Sequence, residues 1–298
     1  MNFKNWTSLA KYDLYKELEK DLKLQIKSEM APEKEFELIP LKDSVPEAKA
    51  RIAHPEALDG ISTGYSNLDS LLGGITPEEL VVVAGGTGTG KTHFVQNMII
   101  NMTLDNNPVL FFTLEMPPVE TTIRFMRMIR SKIHEDILPE LPIYYYYGTN
   151  VTIPILEKAI MKGVEMGIKV VVIDHIHFFA KGNDNQAAEI GNIAREIKLL
   201  ARKYKLPIIL IAHIRKTGNA SKIPSLEDIK DSSGVAQDAD SVLIVWRDME
   251  SDDEETQREL KVKVRKNRRR GLLGGCQYLM NKETTYLNEV EWSHREDF

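Results

Sequence analysis

Three features of this 298-residue chain predict an α/β fold with a mostly parallel central sheet flanked by helices. The first is a glycine-rich loop, Gly85-Gly86-Thr87-Gly88-Thr89-Gly90-Lys91-Thr92, set between an apolar run and a helical stretch. The second is a steady alternation of strand-like and helix-like segments from residue 79 to residue 213. The third is a set of continuously apolar runs that each end in a polar residue, as in strands covered on both faces.

The loop has four residues between Gly85 and Gly90, then Lys91 and Thr92. It follows Leu80-Val81-Val82-Val83-Ala84 and runs into His93–Ile100. In that strand–loop–helix setting the pattern is a phosphate site. Glycines let backbone N–H groups curl around a phosphate, and the helix N-terminus adds free N–H groups and its positive dipole end. Lys91 is expected to reach the β- and γ-phosphates and the Thr92 hydroxyl to ligate Mg²⁺.

Length and composition allow one large core plus a smaller appendage. A single cysteine, Cys276, excludes an intrachain disulfide and a cysteine-based metal cluster. There is no apolar run of spanning length and no signal pattern at Met1–Trp6, so a cytoplasmic protein without membrane contact is expected. With a net charge of −5, any nucleic-acid site must be a local basic patch.

In chain order, residues 1–30 are expected to carry an amphipathic helix, with Leu14, Tyr15, Leu18, Leu22 and Ile26 at three- and four-residue spacing. It would pack on its own domain or on a neighbouring subunit. Residues 31–59, with Pro32, Pro40, Pro46 and Pro55 among charges, read as a linker. The globular domain spans 60–298. A turn and short helix over 62–75 lead to a strand at 79–84 and a helix at 91–104. A strand at 108–114, a helix at 118–132, a strand at Tyr144–Tyr147 and a helix at 153–166 follow. Then come a strand at 168–174, a helix at 187–204 and a strand at 207–213. Right-handed crossovers place the chemistry at the carboxyl ends of these strands. After residue 240, runs at 241–247, 260–266, 276–281 and 285–290 suggest an antiparallel or mixed edge, and Asp248–Glu255 a solvated turn.

Three strand ends carry candidate chemistry. Val170–Asp174 ends in an acid placed to hold Mg²⁺. Leu110–Leu114 leads into Glu115; if that strand neighbours the phosphate-loop strand, Glu115 points at the γ-phosphate and can orient or deprotonate water. Ile208–His213 ends in a histidine able to hydrogen-bond the γ-phosphate. His175 and His177 have no metal partner at ligand spacing and read as loop or packing residues. Flexible basic stretches around Lys181 and at Arg215, Lys216 and Lys222 suit a phosphodiester backbone, or are plain surface loops. Arg265–Gly271 is the most basic run: a solvated turn, a nucleic-acid contact, or an arginine finger for a nucleotide on another subunit.

The ordered set resembles the RecA-like motor domain of DnaB-type replicative helicases, including the phage and mitochondrial branch. The resemblance covers about residues 60–290. It rests on Gly64-Tyr65 with Leu68-Asp69, Gly85–Thr92, Thr113–Pro117, Val172–Asp174, and Ile193-Ala194-Arg195 through Ala201. It continues through Pro207–His213, Asp228–Ser233, Gln237–Asp240, Arg247-Asp248 and Lys266-Asn267-Arg268 with Gly271. It implies a hexameric ring that hydrolyses ATP or another NTP with Mg²⁺ between subunits and moves 5′→3′ on single-stranded DNA. By position it makes Glu115 the catalytic glutamate, Asp174 the Mg²⁺-associated aspartate, His213 the sensor, and Lys266 with Arg268 the trans-acting pair. Lys230, Asp231 and Ser233 match a DNA-facing loop in which the family places glycine at the Ser233 position. Residues 1–59 are too short for the family's primase-related N-terminal domain, so primase or loader functions would come from a separate protein.

Two other classes share parts of this pattern. A RecA-, RadA- or KaiC-like ring has the same fold and nucleotide site. The Leu114–Pro117 stretch and the late Lys-x-Arg favour the helicase branch. An ATP-gated assembly factor would not need the full hydrolytic set.

Overall fold

The computed structural model describes residues 40–54, 60–132, 140–148, 151–180, 186–214 and 233–290. The expected helix at 6–30 and residues Lys181, Arg215, Lys216, Lys222, Lys230 and Asp231 lie outside them. The chain divides into two units, Met1–Pro55 and Glu56–Phe298. In the first, a helix α1 spans Leu41–Ala53 with no buried residue and Pro46 inside it. This corrects the linker reading over those residues. An apolar stripe is not required for a helix; here Glu47 and Arg51 pair at 2.6 Å one turn apart, a contact that supports exposed helices.

The second unit is built on a nine-stranded sheet. The strands are β1 (Leu80–Gly85), β2 (Val109–Thr113), β3 (Ile143–Tyr146), β4 (Val170–Asp174), β5 (Ile208–His213), β6 (Ser241–Trp246), β7 (Glu259–Asn267), β8 (Gly274–Met280) and β9 (Leu287–Val290). Their order is β3-β2-β4-β5-β1-β6-β7-β8-β9. The pairings from β3 to β6 are parallel and those from β6 to β9 antiparallel, as the sequence texture predicts. The condition attached to Glu115 is not met, since β2 does not neighbour β1: β4 and β5 lie between them.

Alternation along the strands builds two cores. In β1, Leu80, Val82 and Ala84 face one core and Val81 and Val83 the other. The first core is covered by α5 (Ile153–Glu165), α6 (Gln186–Tyr204) and α7 (Ser233–Asp238). The second is covered by α2 (Ser66–Leu72), α3 (Lys91–Leu104) and α4 (Pro118–Ile129). Such two-sided burial explains why β1, β2 and β4 are apolar without alternation. A further helix α8 (Glu254–Arg258) starts inside the acidic stretch read as a turn. Its N-cap Asp253 accepts a hydrogen bond from the Thr256 N–H, so the acid run encodes a helix start.

The Gly64–Asp69 motif is an anchor for this frame. The Asp69 carboxylate accepts hydrogen bonds from Ser62 Oγ (2.6 Å), Thr63 N (2.9 Å) and Thr63 Oγ1 (2.9 Å). Tyr65 packs on Tyr278 and Phe94, with ring centroids 4.6 and 5.9 Å away. Gly64 has φ +78°, and a Cβ there would lie 2.2 Å from the Asn101 Cβ. Asn101 also accepts from the Tyr286 hydroxyl at 2.8 Å. Gly64→Ala therefore combines backbone strain with a clash. It should lower unfolding stability by at least about 1–3 kcal/mol; an unchanged urea midpoint would contradict this anchoring role.

Candidate active site

The carboxyl ends of β2, β4, β5 and β1 meet along one edge of the sheet. Register places Thr113 beside Asp174 and Gly85 beside His213. Beyond β1 the loop turns into α3, with Gly90 at φ +96° as its N-cap. A Cβ at Gly90 would stand 2.8 Å from Leu260 Cδ1, so the close approach of β7 and the backbone angle both require glycine.

Lys91 is buried and donates from Nζ to the Gly86 carbonyl at 2.7 Å. Thr89 Oγ1 donates to the same carbonyl at 2.9 Å. The loop is thus held folded around its own lysine. Burial pushes the Lys91 pKa down to about 8, partly opposed by the carboxylates of Asp174 and Glu115. Burial pushes Asp174 up to about 6, partly opposed by its hydrogen bond with Thr92. One Asp174 oxygen, Oδ1, is buried with no hydrogen-bond partner. A buried, partnerless carboxylate oxygen beside a threonine hydroxyl fits a divalent cation.

Glu115 is exposed at the end of β2 and lines the same cavity as Lys91, Thr92 and His213. That cavity is about 450 Å³. Glu115 reaches it although β2 is three strands from β1, because β2, β4 and β5 end at a common edge. His213 and His175 cross edge-on with ring centroids 4.4 Å apart, and His177 lies 5.3 Å from His175. Burial pushes His175 down to about 3 and His213 to about 4, and lowers His177. All three are neutral imidazoles at physiological pH.

Further residues complete the wall: Arg247, of the Arg247-Asp248 pair after β6, and five that no motif identified, Arg124 and Arg127 from α4, His93 from α3, and Met280 and Thr285 around the β8–β9 turn. Arg124 and Arg127 sit three residues apart on one exposed helix face, which a helical count does allow one to foresee. Arg247 Nε donates to the Gln257 carbonyl. His93 Nε2 lies 2.6 Å from the Thr285 carbonyl; since a carbonyl only accepts, Nε2 carries the proton. The Leu287 N–H donates to Asn97 Oδ1 at 3.0 Å. The bonds of His93 and Asn97 tie the last hairpin to α3, and the arginines of the wall line the space beside it. With Lys91 they make a cationic cavity suited to a polyanion.

Lys266 and Arg268 do not join this cavity. Asn267 is level with Ser241, and Ser241 with Val81, four residues before Gly85. At about 3.3 Å per residue the pair stands roughly 13 Å away along the strands, at the opposite edge of the sheet. Lys266 Nζ donates to the Ala236 and Gln237 carbonyls at 2.9 Å each. Arg268, whose side chain is 56% exposed, meets Asp240 at 3.4 Å. Asp240 is the hub of this edge: its carboxylate also accepts from Lys198 Nζ at 2.6 Å and from the Leu80 N–H at 2.8 Å. Ser233, expected in a loop, is the first residue of α7.

Among the described residues, no helix is long and apolar enough to cross a membrane. Comparison with known proteins agrees with the resemblance. Residues 60–289 match the family model of the DnaB-like helicase C terminal domain. A probable replicative DNA helicase of Trieres chinensis is 30% identical over 229 residues, 68% of this chain and 50% of that protein. The replicative DNA helicase DnaB of Pasteurella multocida is 27% identical over 219 residues, 64% of this chain and 47% of that protein. This chain thus aligns with about half the length of those relatives. The ATPase domain of G40P superposes with a TM-score of 0.77 at 20% identity, covering 86% of this chain and 100% of that one. A DnaB-like replicative helicase, solved in a study of its interactions with primase, superposes at 0.72 and 20% identity, over 86% of this chain and 68% of that one. With a cationic phosphate loop at a parallel sheet edge and a family match over 60–289, the chain belongs to the DnaB-like helicase C-terminal domain family.

Proposed function

We propose that this chain is the motor of an ATP-driven replicative DNA helicase. It works as a homo-oligomeric ring, a hexamer, that moves 5′→3′ on single-stranded DNA in the cytoplasm. The observation that carries this reading is the separation of Lys266 and Arg268 from the cavity of their own chain. An exposed guanidinium that far from the cavity of its own chain supports a role on the nucleotide of a neighbouring subunit, as in a repeating assembly. Membership of the family supports the same assignment.

In this mechanism Lys91 leaves the Gly86 carbonyl and pairs with the β- and γ-phosphates, while the loop N–H groups bind the phosphate oxygens. Thr92 and Asp174 would hold Mg²⁺, and the partnerless Asp174 Oδ1 supports that fit. When bound, Mg²⁺ neutralises charge on the phosphoryl oxygens. Glu115 orients and deprotonates the attacking water. His213, neutral and at the end of β5, donates to the γ-phosphate and senses its loss. Lys266 and Arg268 stabilise transition-state charge in trans. Lys181, Arg215, Lys216, Lys222, Lys230, Asp231 and Ser233 face the DNA, where contacts to the phosphate backbone rather than to bases set affinity.

Two experiments test these roles. Glu115→Gln should retain ATP binding and lower kcat by about 10²–10⁴; normal turnover would show that another group activates water. Arg268→Ala should bind nucleotide and lose about 10³-fold or more of its turnover. Mixed with Lys91→Ala subunits it should regain part of that activity. No rescue in rings shown to contain both subunits would contradict a role in trans.

A further inference from the structure

Glu115, His175 and His213 are far apart in sequence, yet adjacent strands β2, β4 and β5 deliver them to one point. One carboxylate oxygen and one ring nitrogen from each histidine all lie within 4.8 Å of one another. His175 Nε2 is 3.9 Å from Glu115 Oε2, too long for a hydrogen bond. His175 and Glu115 therefore converge without bonding each other. Ligand atoms around tetrahedral zinc stand roughly 3.4 Å apart, given bonds of about 2.0–2.1 Å. Closing the set needs shifts of about an ångström, within reach of the Glu115 side chain, which is 52% exposed.

We propose that Glu115, His175 and His213 form a binding site for one divalent cation of the zinc class, with a fourth position open to the nucleotide cavity. The donor set selects the metal class. Two imidazole nitrogens and a carboxylate suit zinc, whereas Mg²⁺ demands an octahedron of oxygens. The site is separate from Thr92 and Asp174, the pair assigned to Mg²⁺. Three protein ligands and an open position are the arrangement of reactive rather than structural zinc. Here the consequence is inhibitory, and that part rests on the reading of Glu115 as the water-activating group. A cation that engages the Glu115 carboxylate removes it from that task, so the loaded chain binds nucleotide but turns over slowly.

The test is calorimetric titration of Zn²⁺ into the full-length, tag-free, chelator-treated chain, without nucleotide and with excess Mg²⁺. The expected result is one Zn²⁺ per chain. Glu115→Gln and His175→Ala, each verified as folded by circular dichroism, should weaken it at least tenfold, the lower bound for losing even an outer-sphere partner. No Zn²⁺ uptake, or uptake that survives either substitution in a folded chain, overturns the site. Zn²⁺ bound there with undiminished ATP turnover would leave the site standing and remove the role assigned to Glu115, so the two readings fail separately.

Discussion

Parallel pairing of β2, β4, β5 and β1 is the constraint on which the rest of the molecule depends. Parallel strands share one direction, so their carboxyl ends meet at a common edge. Glu115, Asp174, His213 and the Gly85–Thr92 loop converge for that reason, although nearly 130 residues separate the first of the loop from His213. The antiparallel return of β7 has the opposite consequence. It carries Lys266 and Arg268 away to the other edge, where Asp240 and the end of α7 hold them. One sheet thus displays the cavity at one edge and the Lys266–Arg268 pair at the other.

The cavity is costly to the fold that builds it. Asp174 Oδ1 and the Nδ1 atoms of His175, His177 and His213 are buried without partners, and each such group costs about 1–3 kcal/mol. Well-satisfied networks behind the site offset that cost. Asp69 closes the entry turn, Asp240 binds Lys198, Arg268 and the start of β1, and Arg269 pairs with Glu79 at 3.0 Å. The polar motifs along the chain are therefore split between two tasks. Gly64–Asp69 and Asp240 hold the frame, while Lys91, Thr92 and Glu115 line the cavity and Asp174 is buried at the end of β4.

Local patterns made much of this legible. The loop, β1 and α3 followed from glycine spacing and apolar runs, and the antiparallel edge from the change in texture after residue 240. What local pattern does not carry is lateral strand order. Nothing in Leu110–Glu115 says that two strands separate it from β1, so its adjacency to the loop strand could be posed only as a condition, and Glu115 reaches the cavity without it. The meeting of His175 with His213 and Glu115 is likewise a product of order, invisible to ligand spacing within one segment. Helix α1 escaped because its sequence has no apolar stripe, and Arg124 and Arg127 because arginines on exposed faces look alike until a cavity singles some out.

The most direct measurement is ATP hydrolysis with and without single-stranded DNA, beside unwinding of forks tailed at 5′ or at 3′. The account predicts DNA-stimulated turnover and unwinding only from the 5′ tail. Nucleotide binding with no DNA-stimulated turnover would contradict the motor assignment and make the chain an ATP-gated assembly factor.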